Sequence, residues 1–534
     1  MASPLVALPL VMAGGFALAE MFFKWKKGNL HTKHVPDFVF DKFGKLKDIE
    51  GFGDYFVRQL GLDTANPIAK TVSKAADAYL RDDRREKSEA KEVVCILVSG
   101  PTLEEDKKQI CEEILFELEI CVVAYFSFHW KHANSVIEKV VSQGATEKKL
   151  HKAVLCALKK QRYEAVLKSL STKRRIHTMI EELKTIGRSN SSIPDKGVVT
   201  VPAESSKRSP VILFIGGGMG AGKSTIVKEV LSSSFWAGVI KDAVVVEADA
   251  FKETDIIYRT LSSLSKGDVS GNAELVHQFS TETANSLLVS ALNEGRDVIF
   301  DGTMSWEPFV IETIEMVRDI HNRRYRMGPG YKKNDDGTEV ENYWEPLAED
   351  SECAIVNKSN DGGKRPYRIE FVGVACDAHL AVVRGMRRAI ATKRGVPVKG
   401  QLRSHKLFAK SLEKYISLVD AAKIFTTSAW NGPAELIALK DGPGKKLLID
   451  VDNYPGVRCL GDLDPNSGSV TELYKNNVDM KLVNQFWQNV ILDSNRKLRQ
   501  KRLCKAILAN ASTSALLEKS MSQLSQDEIN SFSK

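Results

Sequence analysis

A glycine-rich loop that follows an apolar run sets the tightest limit on the fold of this chain. Residues 216–225 read GGGMGAGKST; the run VILFI precedes them, and a helical pattern follows them. Residues 217–224 match G-x-x-x-x-G-K-[ST], in which glycines let successive backbone N–H groups point at phosphate oxygens. The positive end of the following helix adds to that attraction. The order of strand, loop and helix therefore predicts an α/β domain that binds a nucleoside triphosphate.

The side chains of this loop have the chemistry that ATP and Mg²⁺ require. We expect Lys223 to neutralise the β- and γ-phosphates as a catalytic charge, and Ser224 to hold Mg²⁺. A glycine-rich turn that binds nothing is the alternative, and the flanking strand and helix argue against it. The predicted ATP-binding residues are Gly217, Gly218, Met219, Gly220, Ala221, Gly222, Lys223, Ser224 and Thr225.

Apolar runs alternate with amphipathic helical patterns from residue 211 onwards. The later strand candidates are AVVVE, DVIFDGT, YRIEFVGVA and KIFTTSA. Such alternation predicts an α/β fold with a mainly parallel sheet flanked by helices. The polar, glycine-rich residues 325–366 interrupt the pattern and indicate an insertion. After residue 430, AELIALKDGPGKKLLIDVD predicts a hairpin that turns at Gly442-Pro443-Gly444.

Asp249 follows the second predicted strand, in the sequence EADAF. In an open parallel sheet the chemistry lies at the carboxyl ends of the strands, and we expect this strand beside the P-loop strand. A carboxylate there takes the proton from an attacking hydroxyl, as the catalytic Asp of kinases does. The alternative is an Asp that only caps a helix. We predict that Asp249 is the general base.

Asp301 and Thr303 end the next predicted strand, in DVIFDGT. An apolar run that ends in Asp is typical of a Walker B element, in which Asp301 binds Mg²⁺ through water. Alternatively, Asp301 and Thr303 form hydrogen bonds with the substrate. The alternative without a functional role is an Asp-Gly turn that only closes the strand.

A basic cluster, VVRGMRRAIATKRGVPVKGQLRSHK, follows the fourth predicted strand. P-loop kinases close an arginine-bearing lid over the phosphoryl group in transfer, because charge there must be stabilised away from water. The alternative is an ordinary solvent-exposed basic face, which we expect for at least half of the arginines in this cluster. The candidates are Arg384, Arg387, Arg388, Arg394 and Arg403.

These elements together resemble the zeta-toxin family of P-loop kinases. The resemblance runs from about 210 to 430 and rests on GGMGAGKS, EADAF, HQFSTETANSLLVSALNEGRDVIFDGT and the arginines. It implies that Asp249 is the catalytic base and that Arg388 and Arg394 act in the lid. The substrate-binding residues that it implies are Thr281, Glu282, Asp301 and Thr303.

The acceptor follows from a second resemblance. The arrangement of anchor, helical region, linker and kinase is similar to that of plant calmodulin-dependent NAD kinases with a zeta-toxin-like domain. This similarity implies transfer of the γ-phosphate of ATP to the 2′-hydroxyl of NAD, which gives NADP. Lys252 stands where zeta toxins usually have Arg. The alternatives are a kinase of a UDP-sugar or another small hydroxyl acceptor, a kinase of nucleic-acid ends, and a non-catalytic calmodulin-binding membrane tether.

A basic amphipathic segment, AVLKSLSTKRRIHTMIEEL, lies before the kinase. Such a helix is typical of calmodulin targets and of membrane-surface helices. Leu170 and Leu183 span fourteen positions, counted inclusively, as calmodulin anchors do. Ca²⁺ would then act indirectly, through calmodulin. An ordinary packed helix is the alternative, and a second candidate lies around Trp487. The predicted calmodulin-binding residues are Leu167, Leu170, Lys173, Arg174, Arg175, Ile176, Met179, Ile180 and Leu183.

The N-terminus has the pattern of a membrane anchor. No charged residue occurs from Pro4 to Ala19, and Lys24, Lys26 and Lys27 follow. About 20 residues at about 1.5 Å each match the bilayer core. Lysines on the C-terminal side place that side in the cytosol. We expect an organelle outer membrane, above all the mitochondrial one, with a buried or interfacial helix as the alternative.

Composition and charge complete the expected organisation. Eight cysteines without a C-x-x-C indicate free thiols in a reducing compartment. A net charge of +8 is mild for 534 residues, and we expect no nucleic-acid partner. The predicted regions are an anchor at 1–27, a helical regulatory region at 28–187 with the calmodulin segment at 160–187, a linker at 188–209, the kinase at 210–430 and a small α+β extension at 431–534.

Overall fold

The computed structural model describes residues 51–81, 105–142, 208–232, 243–247, 284–333, 339–347, 365–392, 395–428, 434–474 and 493–510, with Trp236 and Thr281. Its helices are α1 Phe52–Leu60, α2 Pro67–Arg81, α3 Glu105–Phe128, α4 Ala133–Ser142, α5 Lys223–Leu231, α6 Glu307–Asp319, α7 Ala378–Thr392, α8 Val398–Leu418, α9 Tyr454–Cys459 and α10 Arg496–Asn510. Its strands are β1 Val211–Gly216, β2 Val244–Glu247, β3 Val298–Asp301, β4 Tyr325–Lys333, β5 Glu339–Pro346, β6 Arg368–Ala375, β7 Ala421–Thr426, β8 Glu435–Lys440 and β9 Leu448–Ile449. A further helical segment covers 284–293.

The chain divides into two compact units, and the first contains α1–α3 and α10. Glu117 of α3 and Arg496 of α10 form an ion pair of 2.8 Å, and both side chains are buried. Gln500 donates a second hydrogen bond of 2.8 Å to the same Glu117 oxygen. A buried charge is tolerated only when it is paired in this way, so these bonds fix α10 against α3. The predicted helical character of this region is confirmed for the described residues.

Cys111 corrects the expectation that all cysteines are free thiols. It takes part in a disulfide. Cys121, Cys376, Cys459 and Cys504 are not bonded in disulfides, as expected. Residue spacing alone did not indicate the bond, because no C-x-x-C or regular framework marks it.

The second unit is built on a seven-stranded sheet with the order β2-β3-β1-β6-β7-β8-β9. The first five strands of this order are parallel to one another, and β8 and β9 are antiparallel. All six residues of β1 are buried, because the central strand is covered on both faces. The predicted mainly parallel sheet flanked by helices is confirmed.

The strand order corrects one expectation about the site. We expected β2, which precedes Asp249, to lie beside the P-loop strand. Instead β3 lies between them: Val246 of β2 pairs with Phe300, and Phe300 pairs with Phe214 of β1. The local sequence fixes each strand, but the crossovers fix which strands become neighbours.

Residues 325–366 contain a hairpin rather than only a loop. β4 and β5 form a separate antiparallel sheet with an irregularity between Met327 and Gly330. The predicted hairpin of residues 435–449 is also present as β8 and β9. It extends the seven-stranded sheet beyond residue 430, whereas α10 belongs to the first unit.

Several predicted segments lie outside the described residues. These are the anchor at 1–27, the calmodulin segment at 160–187 and almost all of the linker at 188–209. Within the ranges that the structure describes, no helix has both the length and the apolar content needed to cross a bilayer.

Candidate active site

The P-loop lies at the point where the connections between the strands reverse their direction across the sheet. The strand that carries it, β1, pairs with β3 on one side and with β6 on the other. The connection that leaves β1 leads to β2 at one edge of the sheet, and the connection that leaves β6 leads to β7 on the other side, so a crevice opens at the carboxyl ends of β1 and β6. The loop follows β1 directly and leads into α5, so the predicted order of strand, loop and helix is confirmed.

Three glycines in the loop, Gly217, Gly220 and Gly222, have conformations that other residues rarely adopt. Gly220 has a φ of 81°, and Gly217 has a φ of 154°. A Cβ atom on Gly220 would lie 2.6 Å from the carbonyl oxygen of Ala381, and one on Gly217 would lie 2.5 Å from that of Val374. The loop backbone therefore packs directly on the end of β6 and the first turn of α7. Only glycine allows both the backbone angle and the close approach.

Lys223 and Ser224 occupy the first turn of α5. The ammonium group of Lys223 donates a hydrogen bond of 3.1 Å to the carbonyl oxygen of Gly217, so its side chain folds back across the loop. Ser224 and Thr225 are exposed at the helix N-terminus. Backbone N–H groups at such a helix end attract anions. These residues fit the triphosphate and the Mg²⁺ ion that the sequence predicts.

The loop after β3 is joined to the P-loop by backbone hydrogen bonds. Asp301 pairs in register with Ile215, the residue before Gly216. The N–H of Gly302 donates to Ile215 at 3.1 Å, and the N–H of Gly217 donates to the carbonyl of Thr303 at 3.3 Å. The structure thus brings Asp301 and Thr303 to the phosphate loop, as their positions at the end of the strand predict.

Met304, directly after Thr303, carries backbone strain. Its φ is 48°, and it is the non-glycine residue with a positive φ among the described residues. The hydroxyl of Tyr415 in α8 donates a hydrogen bond of 3.2 Å to the Met304 carbonyl. Strained conformations persist only where the surroundings impose them, and they cluster at functional sites.

α8 supports the P-loop from behind. Ser404 accepts a hydrogen bond of 2.9 Å from the N–H of Met219, and Nε2 of His405 donates one of 2.9 Å to the Met219 carbonyl. Burial, together with the nearby charges of Lys223 and Arg384, lowers the pKa of His405 to about 4. His405 is therefore neutral at pH 7 and adds no second charge beside Lys223.

Arg384 of α7 positions the loop through a relay. Its guanidinium donates to the hydroxyl of Thr427 at 3.0 Å and to the carbonyl of Thr427 at 2.9 Å. The Thr427 hydroxyl in turn donates a bond of 2.5 Å to the carbonyl of Ala221 in the P-loop. Arg384 is thus engaged in holding the loop, which separates it from the lid arginines.

The N-terminus of α7 is capped by Asp377. Its carboxylate accepts a hydrogen bond of 2.9 Å from the N–H of Leu380. Burial raises the pKa of Asp377 to about 6, while the backbone N–H groups of Leu380 and His379 oppose this rise. The cap fixes the helix turn on which Gly220 packs, and so it fixes the P-loop indirectly.

The predicted lid arginines differ in their surroundings. Arg388 is exposed on α7, four residues after Arg384, and Arg403 is exposed on α8. Arg387 is buried. The exposure of Arg388 is compatible with a lid role, which stays a prediction. Buried Arg387 and loop-holding Arg384 show that this basic cluster is not uniformly a solvated face.

Three predicted site residues lie outside the described ones: Asp249, Glu282 and Arg394. Thr281 is described as helical and half-buried. The predicted roles of all four residues stay predictions. Among the described residues no group of three or more His, Cys, Asp or Glu side chains could hold a metal ion. A P-loop Mg²⁺ does not need such a group, because phosphate oxygens and water supply most of its ligands.

The residues that sequence reasoning missed are Ser404, His405 and Thr427. They contact the P-loop from 185, 186 and 206 positions away in the chain. No local pattern marks such contacts. The one sequence pattern that pointed to a distant contact with the P-loop was the basic helix that contains Arg384.

Comparison with known proteins assigns the family. The model of the zeta toxin family matches residues 199–327. A calmodulin calcium-dependent NAD kinase of Arabidopsis thaliana is 44% identical over 467 residues, which cover 87% of this chain and 85% of that protein. The chain belongs to the same family as this kinase.

Two solved structures are also similar to this chain. The AvrRxo1-ORF1:-ORF2 complex with ATP is 13% identical, with 64% of this chain and 87% of that chain covered and a TM-score of 0.33. The PezAT toxin–antitoxin system of Streptococcus pneumoniae is 13% identical, with coverage of 61% and 96% and a TM-score of 0.30. The fold assignment rests on the strand order and the P-loop described above.

Proposed function

We propose that this protein transfers the γ-phosphate of ATP to the 2′-hydroxyl of NAD and so forms NADP. The observation that carries the proposal is a P-loop with Lys223 and Ser224 that is hydrogen-bonded to the loop of Asp301 and Thr303. Family membership with a calmodulin calcium-dependent NAD kinase supports NAD as the acceptor.

ATP is held by the P-loop in this mechanism. The loop N–H groups and the N-terminus of α5 bind the phosphates, and Lys223 stabilises the charge that develops on the phosphoryl group in transfer. Ser224, and Asp301 through water, would hold Mg²⁺, which neutralises phosphate charge when bound. His405, being neutral, leaves the positive charge concentrated at Lys223.

The acceptor hydroxyl lies on the β3 side of the loop in this proposal. Thr303 and Asp301 orient it, since Asp301 ends the strand next to β1 and Thr303 follows it. Asp249, which follows β2, takes the proton from the hydroxyl. Arg388 and Arg394 close over the phosphoryl group and exclude water. The new P–O bond forms as the bond between the β- and γ-phosphates breaks, and ADP leaves.

Calmodulin regulates the kinase in this proposal. The basic segment 160–187 supplies positive charge and apolar anchors, which is the composition of a helix that lies in a hydrophobic groove. Calmodulin prefers the state in which this segment is released. Binding of calmodulin therefore shifts the population towards kinase molecules whose active site can close. Ca²⁺ enters only through calmodulin.

We further propose that residues 1–27 anchor the kinase to a membrane, with the kinase in the cytosol and the mitochondrial outer membrane as the expected site. Deletion of residues 1–24 should release an active kinase into the soluble fraction. If the truncated protein remains with membranes, residues 1–24 are not the anchor.

An acceptor panel tests the proposed activity. The purified full chain is incubated with ATP and Mg²⁺ and with NAD, a UDP-sugar or a DNA 5′ end, each with and without Ca²⁺-calmodulin. We expect phosphate transfer to NAD that calmodulin stimulates. Transfer to the UDP-sugar or to DNA in place of NAD would overturn the assignment. If the protein binds ATP but transfers phosphate to none of these acceptors, the result would favour the non-catalytic calmodulin-binding membrane tether.

A further inference from the structure

A small aromatic surface lies next to the loop after β3, which contains Thr303. Of the aromatic side chains that the structure describes, only Trp306 and Tyr331 are exposed, by 43% and 46%. Their ring centroids are 6.3 Å apart, and the ring planes cross at 86°. Nε1 of Trp306 donates a hydrogen bond of 2.7 Å to the hydroxyl of Tyr343. Aromatic rings that contact one another yet are exposed to solvent are typical of binding surfaces.

The chain itself keeps this surface close to the site of phosphate transfer. Trp306 follows Thr303 by three residues, and three residues span at most about 11 Å. The carbonyl of Thr303 accepts the hydrogen bond from Gly217 of the P-loop. Trp306 is therefore within reach of a molecule whose hydroxyl lies between Thr303 and the P-loop.

α8 holds the loop on both sides of Trp306. On the N-terminal side, Tyr415 donates its hydroxyl to the carbonyl of Met304. On the C-terminal side, Glu307 accepts hydrogen bonds from Ser411 at 2.7 Å and from Lys414 at 2.6 Å. The Lys414 bond also lowers the pKa of Glu307, so its carboxylate stays charged. Because the loop is held on both sides, the Trp306 ring is preorganised. Little conformational entropy is then lost when a ligand stacks on it.

The hairpin is fixed over the same loop. Nε1 of Trp344 in β5 donates a hydrogen bond of 2.9 Å to Thr313 of α6, and the N–H of Tyr343 donates one of 2.8 Å to Glu312. Tyr331 pairs with Glu341, so Tyr331 and Tyr343 lie on one face of the hairpin. The hairpin thus brings Tyr331 to Trp306 from a segment that continues past residue 327, where the zeta toxin match ends.

We propose that Trp306, with Tyr331 at its side, is the platform on which a planar heteroaromatic ring of the acceptor dinucleotide stacks. The proposal rests on the proposed function, because it deepens the acceptor site of that kinase. Every such ring has a π-face, and stacking on an aromatic side chain requires no specific hydrogen bond. A dinucleotide is long enough to place one ring on Trp306 while its ribose hydroxyl lies at Thr303.

Steady-state rates with NAD and ATP varied separately test the platform. Trp306→Ala should raise the KM for NAD about five- to a hundredfold, the range expected when one stacking contact is lost. The KM for ATP should stay the same, because the P-loop is untouched. Trp306→Phe should restore most of the NAD affinity, since it keeps the ring face and loses only the bond to Tyr343. Val340→Ala is the matched control, because Val340 is 46% exposed on the other face of the same hairpin.

The outcomes separate this proposal from the proposed function. If the wild-type protein forms NADP and Trp306→Ala leaves the KM for NAD unchanged, the platform is refuted while the kinase assignment stands. If the KM for ATP rises instead, the ring belongs to the ATP site and the platform proposal is wrong. If the wild-type protein phosphorylates no NAD, the proposed function itself fails. Tyr331→Ala, at an exposed position, gives a second test in the same direction should Trp306→Ala fail to fold.

Discussion

The contact between Gly220 and α7 allows a sharp test of the P-loop geometry. Alanine at Gly220 must adopt a φ of 81°, and its Cβ would lie 2.6 Å from the Ala381 carbonyl oxygen. Ordinary contact begins at 3.4 Å, so the loop or α7 must move by about 0.8 Å. A displacement of about 1 Å at a catalytic group costs about a hundredfold in rate. We therefore expect Gly220→Ala to lose about a hundredfold in kcat/KM for ATP.

Gly295 provides the matched control. It also has a positive φ, of 68°, but nothing lies within 4 Å of the position of its Cβ. Alanine there pays only the left-handed backbone cost of about 1–2 kcal/mol. Gly220→Ala has the same backbone cost and also displaces the loop or α7, so it should lose more unfolding free energy than Gly295→Ala, and only Gly220→Ala should lose activity.

The assay is NADP formation at varied ATP, combined with urea unfolding of each variant. If Gly220→Ala retains activity within about threefold of Gly295→Ala, the displacement argument fails. In that case the loop tolerates the shift, and the close approach to α7 does not position the phosphates.

Other changes test single side chains. Lys223→Ala should abolish phosphate transfer with unchanged circular dichroism, because the amine acts as a charge; a near-normal rate would remove the P-loop from the mechanism. Polar residues at Leu170 and Leu183 should remove stimulation in a Ca²⁺-calmodulin titration and keep the unstimulated rate; equal stimulation would move the switch elsewhere. The pKa of His405 falls from 6.5 to about 4 on folding, so its neutral form stabilises the fold above pH 6.5. As the pH falls towards 4, wild type should lose up to about 3 kcal/mol more unfolding free energy than His405→Gln, by urea unfolding; equal losses would contradict this.

The elements that the sequence predicts well are those with local patterns. The apolar run at 211–215, the glycine loop and the helix after Lys223 form one continuous signature, and the structure shows all three in order. DVIFDGT likewise places Asp301 at a strand end because an apolar run stops there. Each of these depends on neighbours a few positions away in the chain.

Strand order and supporting contacts depend on distant residues instead. β3 lies between β2 and β1, although β2 comes first in the chain. Thr427 reaches Ala221 across 206 positions. The hairpin in 325–366 was hidden because its glycines and polar residues resemble a loop, while the pairing that makes it a sheet is between two strands. Nothing local distinguishes such positions from ordinary surface residues.

The most direct measurement of the central claim is the identity of the product. The purified chain, with ATP carrying a labelled γ-phosphate, Mg²⁺, NAD and Ca²⁺-calmodulin, is assayed with a dehydrogenase that accepts only NADP. The proposed mechanism predicts label in NADP, at the 2′-position, and none with Lys223→Ala. Label transferred to another acceptor, or NADP formed equally by the Lys223→Ala variant, would contradict it.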